Sequence, residues 1–301
     1  TSLRQPGSSI KIVTYAAALT RGFTAATILD DSPVTYTNPG APSYSPVNYD
    51  GRFHGKPSLR IAFANSFNIP AVRTLNQIGI STFIDMGRKM GITTWNEPKR
   101  YGLSITLGSA EVTMLDMATV YGVLANNGVR IDTNPILKII DGKGNVLEEK
   151  NGTEGERILD EGVTFILSHI LSDNQARALE FGASSPLTIP GYTVSVKTGT
   201  SDNKRDNWTI GYTKDRLVAV WVGNNNGDPM SQTLASGITG AAPIWNRIMT
   251  MFLEGKPDKK LVQPTNVVTK PCLGRVEYFV KGTENSVNCT IRPSPTISPS
   301  P

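Results

Sequence analysis

The sequence predicts an α+β fold: an antiparallel β-sheet packed by helices. Three observations carry this. Helical patterns fill residues 8–171, interrupted by one long loop and one hairpin. Alternating β-rich runs then follow one another at 192–197, 208–213 and 217–222. A last amphipathic segment, about Ala241–Leu253, remains to pack on that sheet. A parallel, doubly wound fold would instead alternate strand with helix.

Pro6-Gly7 is a turn signal, and the apolar-rich run Ser8–Leu19 behind it reads as a helix that Ser8 or Ser9 caps. Residues 30–58 are rich in Pro, Gly, Ser, Tyr and Asn and read as a long irregular loop, a length that often signals function. Residues 59–92 read as helix in pieces, with Ser81 as the cap of Thr82–Met90 and Gly91 as its stop. The clearest helix is Thr113–Leu124, because Thr113 with Asp116 resembles a capping box and Asn127-Gly128 ends it. Residues 135–149 alternate around Asp141-Gly142-Lys143-Gly144-Asn145 and read as a hairpin, and 160–171 is amphipathic. In the sheet, Lys214-Asp215-Arg216 turns one strand into the next. Beyond Gly255, residues 256–271 hold three prolines and read as a linker. Residues 272–292 read as a small β-rich appendage, and Pro293–Pro301 as a disordered Pro/Ser tail.

Bulk composition sets outer limits. A chain of 301 residues, 39% apolar and 18% charged, suits one large globular domain or two small ones. It contains no uninterrupted apolar run of about 18 residues and no signal peptide. It opens Thr1-Ser2-Leu3 without a Met, so it is expected to be a piece or processed product whose anchor or export signal lies upstream. The net charge of +5 is scattered, with no dense basic run, which argues against nucleic-acid binding. The only cysteines, Cys272 and Cys289, form no C-x-x-C pair or Cys/His cluster, so neither structural zinc nor another cofactor is expected. They are either two unrelated thiols or a disulfide; the disulfide is favoured and would suit an extracytoplasmic protein.

Several mechanisms are excluded cheaply. A Ser-His-Asp triad would need His54 or His169, and both read as structural. There is no Gly-x-Ser-x-Gly elbow and no Walker loop. A serine enzyme here needs another base, and lysine can serve. In Ser8-Ser9-Ile10-Lys11 the i and i+3 positions share a helix face, so Lys11 can reach the Ser8 hydroxyl. Lysine acts as a base only when burial or a second cation lowers its pKa. Lys197, in Lys197-Thr198-Gly199-Thr200, can be that cation. Gly199 lets a peptide lie against the strand edge, and Thr198 and Thr200 can hold a carboxylate. An S-x-N pattern occurs four times, at Ser66, Ser172, Ser201 and Ser286, and S-x-x-K recurs at Ser201-Asp202-Asn203-Lys204. Context selects Ser66-Phe67-Asn68, which breaks two helical segments and can project polar groups into a cleft.

In order and context, these segments resemble class A (bifunctional) penicillin-binding proteins. The resemblance rests on Arg4–Lys11, Ala64–Val72, Gly108–Thr113, Lys197–Thr200 and the stretch from Arg205-Asp206-Asn207-Trp208 to Val220-Trp221-Val222-Gly223, over about residues 1–255. It implies a transpeptidase domain with an all-helical subdomain beside the sheet. It also implies roles. Ser8 is acylated by the penultimate D-Ala of a stem peptide, Lys11 takes its proton and Ser66 relays a proton to the leaving amine. Asn68 holds the substrate amide; Lys197, Thr198 and Thr200 bind the carboxylate; the N–H groups of Ser8 and Thr200 form the oxyanion hole. The implied partners are a donor ending in D-Ala-D-Ala, an acceptor amine and β-lactam antibiotics, on the extracytoplasmic face of a bacterial membrane. Alternatives on the same fold are a β-lactamase, a D,D-carboxypeptidase, a β-lactam sensor and a catalytically dead binding module. The sequence departs from the family's pattern at Ile12, where Pro is frequent, and at Phe67, where S-D-N has Asp. The family also places sheet strands and a glycosyltransferase domain before the nucleophile. Here seven residues precede Ser8, so that activity is not expected of this chain and the sheet is expected to lack its first strands.

Overall fold

A computed structural model describes residues 2–37, 40, 42–150, 155–231 and 236–290; the tail expected at 293–301 lies outside the described residues. The run behind Pro6-Gly7 starts as a 3-10 turn, Gly7–Ile10, and continues as helix α1, Lys11–Thr20. Neither serine caps it. Pro6 and Ile10 already have helical backbone angles, so the extended residue that a cap requires is absent, and Ser9 Oγ donates to Pro6 O at 2.7 Å instead. Helix α1 is buried from Lys11 to Leu19, as a central helix must be.

After the irregular loop come α2 (Leu59–Ala64), α3 (Asn68–Ile78) and α4 (Ile80–Met90). Ser81 is not the cap of α4. The helix begins at Ile80, two residues before the expected Thr82, because Gly79 at φ 88° both ends α3 and starts α4. Helix α5 (Met114–Ala125) has the expected Thr113–Asp116 capping box, with both reciprocal bonds formed. Strand β1 (Val129–Arg130) pairs with β4 (Glu156–Arg157) around the expected hairpin, β2 (Lys138–Ile140) and β3 (Val146–Glu149). Helices α6 (Glu161–Ser172, capped by Asp160) and α7 (Ala178–Phe181) follow.

The central sheet has the antiparallel order β5 (Ser195–Thr200), β6 (Asp206–Tyr212), β7 (Leu217–Gly223). Strand β5 begins later than its alternation suggests, because Thr193 bonds to Asp258 through both its N–H and its hydroxyl rather than to the sheet. Alternation along β6 sends Trp208, Ile210 and Tyr212 into the core shared with α1, α5 and α6. The opposite face carries Val196, Val218 and Val220 onto α8 (Ala241–Leu253), where Trp245 fills the space above Gly211. The result is three layers: helices, sheet, one helix.

A second hairpin, β8 (Val267–Cys272) with β9 (Arg275–Val280), begins inside the stretch read as linker. Cys272 and Cys289 are joined in a disulfide. The hairpin is docked rather than hanging. Glu277 accepts from Arg60 of α2 through both oxygens, and both side chains are buried.

Candidate active site

Backbone packing sets the place of Ser8. Gly7 has φ 54°, and a Cβ there would stand 2.4 Å from Thr200 O. A Cβ on Gly199 would stand 2.3 Å from Pro6 O. The nucleophile turn and strand β5 therefore touch main chain to main chain, at a distance only glycine permits. Trp208 Nε1 donates to Gln5 O at 3.0 Å and Tyr121 Oη donates to Ser9 O at 2.8 Å, which pins both sides of the turn.

Ser66 lies between α2 and α3 at φ 63°, a left-handed conformation that is costly for a non-glycine residue. It turns its carbonyl toward α1, where Lys11 Nζ donates to it at 2.5 Å. The same Nζ donates to Asn68 Oδ1 at 2.6 Å and lies 3.4 Å from Ser66 Oγ. Lys197 Nζ donates to Ser66 Oγ at 2.7 Å and to Thr198 O at 2.9 Å. Among the described residues no hydrogen bond joins Lys11 to Ser8, so the expected direct reach is not made. A buried Nζ has several protons to place, and Ser66 and Asn68 offer three acceptors.

Burial lowers the pKa of Lys11 well below the usual ammonium range, and the neighbouring Lys197 lowers it further; Glu180 and Asp31 oppose this. Lys197 is brought down to about 7, first by burial and then by Arg177, with Glu180 opposing. Burial thus favours the neutral form of both adjacent amines, and the neutral form is the state a lysine base needs. Ser8, Ser66, Asn68, Thr198, Gly199 and Thr200 line an open cleft of about 460 Å³. Lys11 and Lys197 stand behind Ser66, not in the cleft wall. Ser201–Lys204 line the cleft as well, whereas Ser172 ends α6 and Ser286 lies beyond β9.

The family profile for the penicillin-binding protein transpeptidase domain matches residues 1–250. The chain belongs to the penicillin-binding protein transpeptidase domain family. It is 34% identical over 302 residues to penicillin-binding protein 1A of Aquifex aeolicus, covering 96% of this chain and 40% of that protein. To penicillin-binding protein 1A of Neisseria lactamica it is 32% identical over 286 residues, covering 93% of this chain and 35% of that protein. It thus spans well under half the length of these curated relatives. The crystal structure of penicillin-binding protein 1A from Haemophilus influenzae superposes with a TM-score of 0.85 at 28% identity, over 94% of this chain and 49% of that one. The PonA1 protein of Mycobacterium tuberculosis in complex with penicillin V shares the fold, with a TM-score of 0.77 at 24% identity over 88% of this chain and 73% of that one.

This transpeptidase domain also surrounds its motifs with residues that motif reading passed over. Asn48, Asp50 and Glu180 line the cleft. Arg177 is buried and donates to Leu171 O at 2.6 Å behind Lys197. Burial raises the Glu180 carboxyl pKa, Asp50 adds to this, and His54 and both lysines oppose it. The one sequence signal for Asn48 and Asp50 is the Asn48-Tyr49-Asp50-Gly51 turn within an unusually long loop. His54 is bonded to Asp31 and stacked on Phe67, as a structural histidine would be.

Proposed function

We propose that this domain is a D,D-transpeptidase that cross-links peptidoglycan stem peptides through an acyl-enzyme on Ser8. The observation that carries the reading is Ser66 Oγ. It takes a bond from Lys197 and lies beside Lys11, at the edge of a cleft that Ser8 also lines. Ser8 Oγ attacks the carbonyl of the penultimate D-Ala, and its proton passes to the neutral amine of Lys11, one 3-10 turn away. Lys11 exchanges a Ser66 bond for the Ser8 hydroxyl as the site tightens around substrate. The C–N bond then breaks, and Ser66 Oγ delivers a proton to the leaving D-Ala amine. The lysines restore that proton. An acceptor amine attacks the ester, loses its proton by the reverse path and releases Ser8.

Strand register supports the oxyanion role of Thr200. Ser201 N donates to Asp206 O, so the N–H of Thr200, one residue back, points away from β6 to the free strand edge. The Thr200 hydroxyl already accepts from Gly237 N at 3.0 Å, which leaves its hydrogen to donate to a substrate carboxylate. Thr198 supplies the second hydroxyl. Lys197 adds positive charge from behind rather than a direct contact. A β-lactam enters as the donor does, but its leaving amine stays tethered, so the ester persists. No helix among the described residues is long and apolar enough to cross a membrane. We place the domain at the extracytoplasmic face, where its substrate lies, and assign residues 1–255 to it.

The test is intact mass against time with excess penicillin, with Ser8→Ala as control. One stable adduct, lost in the variant, supports the reading. Rapid loss of the adduct replaces it with a hydrolase. No adduct on folded protein overturns it.

A further inference from the structure

The long loop before α2 carries a buried polar network that the chemistry above does not use. Asn48 and Asp31 are both buried, Asp31 completely. Asn48 Oδ1 accepts the N–H of Asn68 at 2.7 Å and lies 3.3 Å from that of Ile69. These are the first two N–H groups of α3. Asn48 Nδ2 lies 2.8 Å from each Asp31 oxygen and 2.8 Å from Arg52 O. Asp31 also accepts from His54 N at 2.9 Å and pairs with His54 Nδ1 at 2.7 Å. The His54 ring stacks on Phe67 with centroids 3.9 Å apart, and its Nε2 faces Asp50 at 3.2 Å.

Helix α3 needs this. Its own flanking residue is Phe67, which has no side-chain acceptor, and no local cap bond forms. The opening N–H groups of a helix have no partner within it. Asn48 supplies that partner from the loop, some twenty residues back in the sequence. The contact begins two residues after Ser66, whose φ of 63° is costly and would relax without restraint. Relaxation would swing Ser66 O and Asn68 Oδ1 away from Lys11 and draw Ser66 Oγ off Lys197. The Thr198 and Thr200 hydroxyls stand on β5 and would not move.

We propose that Asn48, held by Asp31, is a positioning residue for acylation: it fixes the start of α3 so that Ser66 and Asn68 stay on the two lysines. His54 is the outer stay of the same turn, through Phe67. The proposal rests on the transpeptidase reading above. It differs from a merely structural role in what it moves. A positioning residue alters the rate of the covalent step, whereas a loop that only needs folding alters binding and stability together.

The experiment is stopped-flow acylation of the whole chain by a fluorescent penicillin, resolving the binding constant Ks from the acylation rate k2. The variants are Asn48→Ala, which removes the acceptor, and Asp31→Asn, which keeps the volume but sets amide against amide. The expected result is k2 lower by about 10- to 100-fold in both, the scale of a small misplacement of reacting groups. Ks should stay within about threefold of wild type, because the hydroxyls of β5 are untouched. Thermal unfolding should remain cooperative. An unchanged k2 in either folded variant overturns the proposal, as does a parallel loss of Ks and k2. Failure of both variants to fold also overturns it, by making the network a folding element. A wild-type chain that takes no adduct is a different failure, seen before any variant is made, and it removes the transpeptidase reading itself.

Discussion

At the scale of single residues, the two buried lysines dominate. Lys197 titrates near 7 in the folded chain and near 10.5 when exposed. Between those values the unfolded chain holds a proton that the folded chain does not, so stability rises with pH. The slope is about 1.4 kcal/mol per pH unit for one proton. Below pH 7 both forms are protonated and the slope vanishes. Denaturant titrations from pH 7 to 9 should show this rise in wild type and a smaller one in Lys197→Met, which should also lose acylation. Equal slopes in the two proteins would show that Lys197 is not the source. Glu180 gives a second handle. Its charge raises the pKa of both lysines, so Glu180→Gln should let them shed protons more easily. The acidic limb of k2 against pH then moves to lower pH; an unmoved limb would mean that Glu180 does not act on the pair. The motif residues were legible in sequence, since S-x-x-K, S-x-N and K-T-G name the side chains that gather here. Asn48, Asp31 and Arg177 were not. They act through contacts from an aperiodic loop and a helix end, which no spacing rule reaches. The i, i+3 rule also pointed Lys11 at Ser8, because it counts helix neighbours and cannot see the acceptors that Ser66 brings from another segment.

At the scale of elements, the close approach of the nucleophile turn to β5 is the sensitive joint. Gly199→Ala puts a methyl into Pro6 O. It should lower acylation by roughly 100-fold, the scale of about 1 Å of misplacement, while far-ultraviolet circular dichroism stays unchanged. Acylation within a fewfold of wild type would show that the turn yields. By contrast, Thr113→Ala removes half of a capping box that does not line the cleft. It should cost about 1 kcal/mol of stability in a denaturant titration and leave k2 as it was. That box was readable in sequence because it is local. The caps assigned to Ser8 or Ser9 and to Ser81 fail because the chain enters α1 already helical and turns into α4 at Gly79. Strand β5 was misplaced because Asp258, a residue remote in sequence, takes the bonds of Thr193.

At the scale of the whole molecule, the order of helices before strands was enough to give the fold class, because three antiparallel runs in succession leave little other topology. The docking of the second hairpin was hidden, since its anchor joins residues 217 positions apart. Arg60 is wholly buried, and Glu277→Ala would leave it with Asp173 as its remaining carboxylate partner. The loss should be roughly 3 kcal/mol of unfolding free energy by denaturant titration. A change below about 0.5 kcal/mol would mean the hairpin is only an accessory. The same anchor has a consequence for biosynthesis. Synthesis runs from the N-terminal side, so Arg60 is made 217 residues before Glu277. At about 5–20 residues per second, Arg60 waits roughly ten to forty seconds for its partner. Through that interval α2, and the Ser66 turn that follows it, lack their buttress. Competence for acylation is therefore expected only once Glu277 has been made, well after the nucleophile.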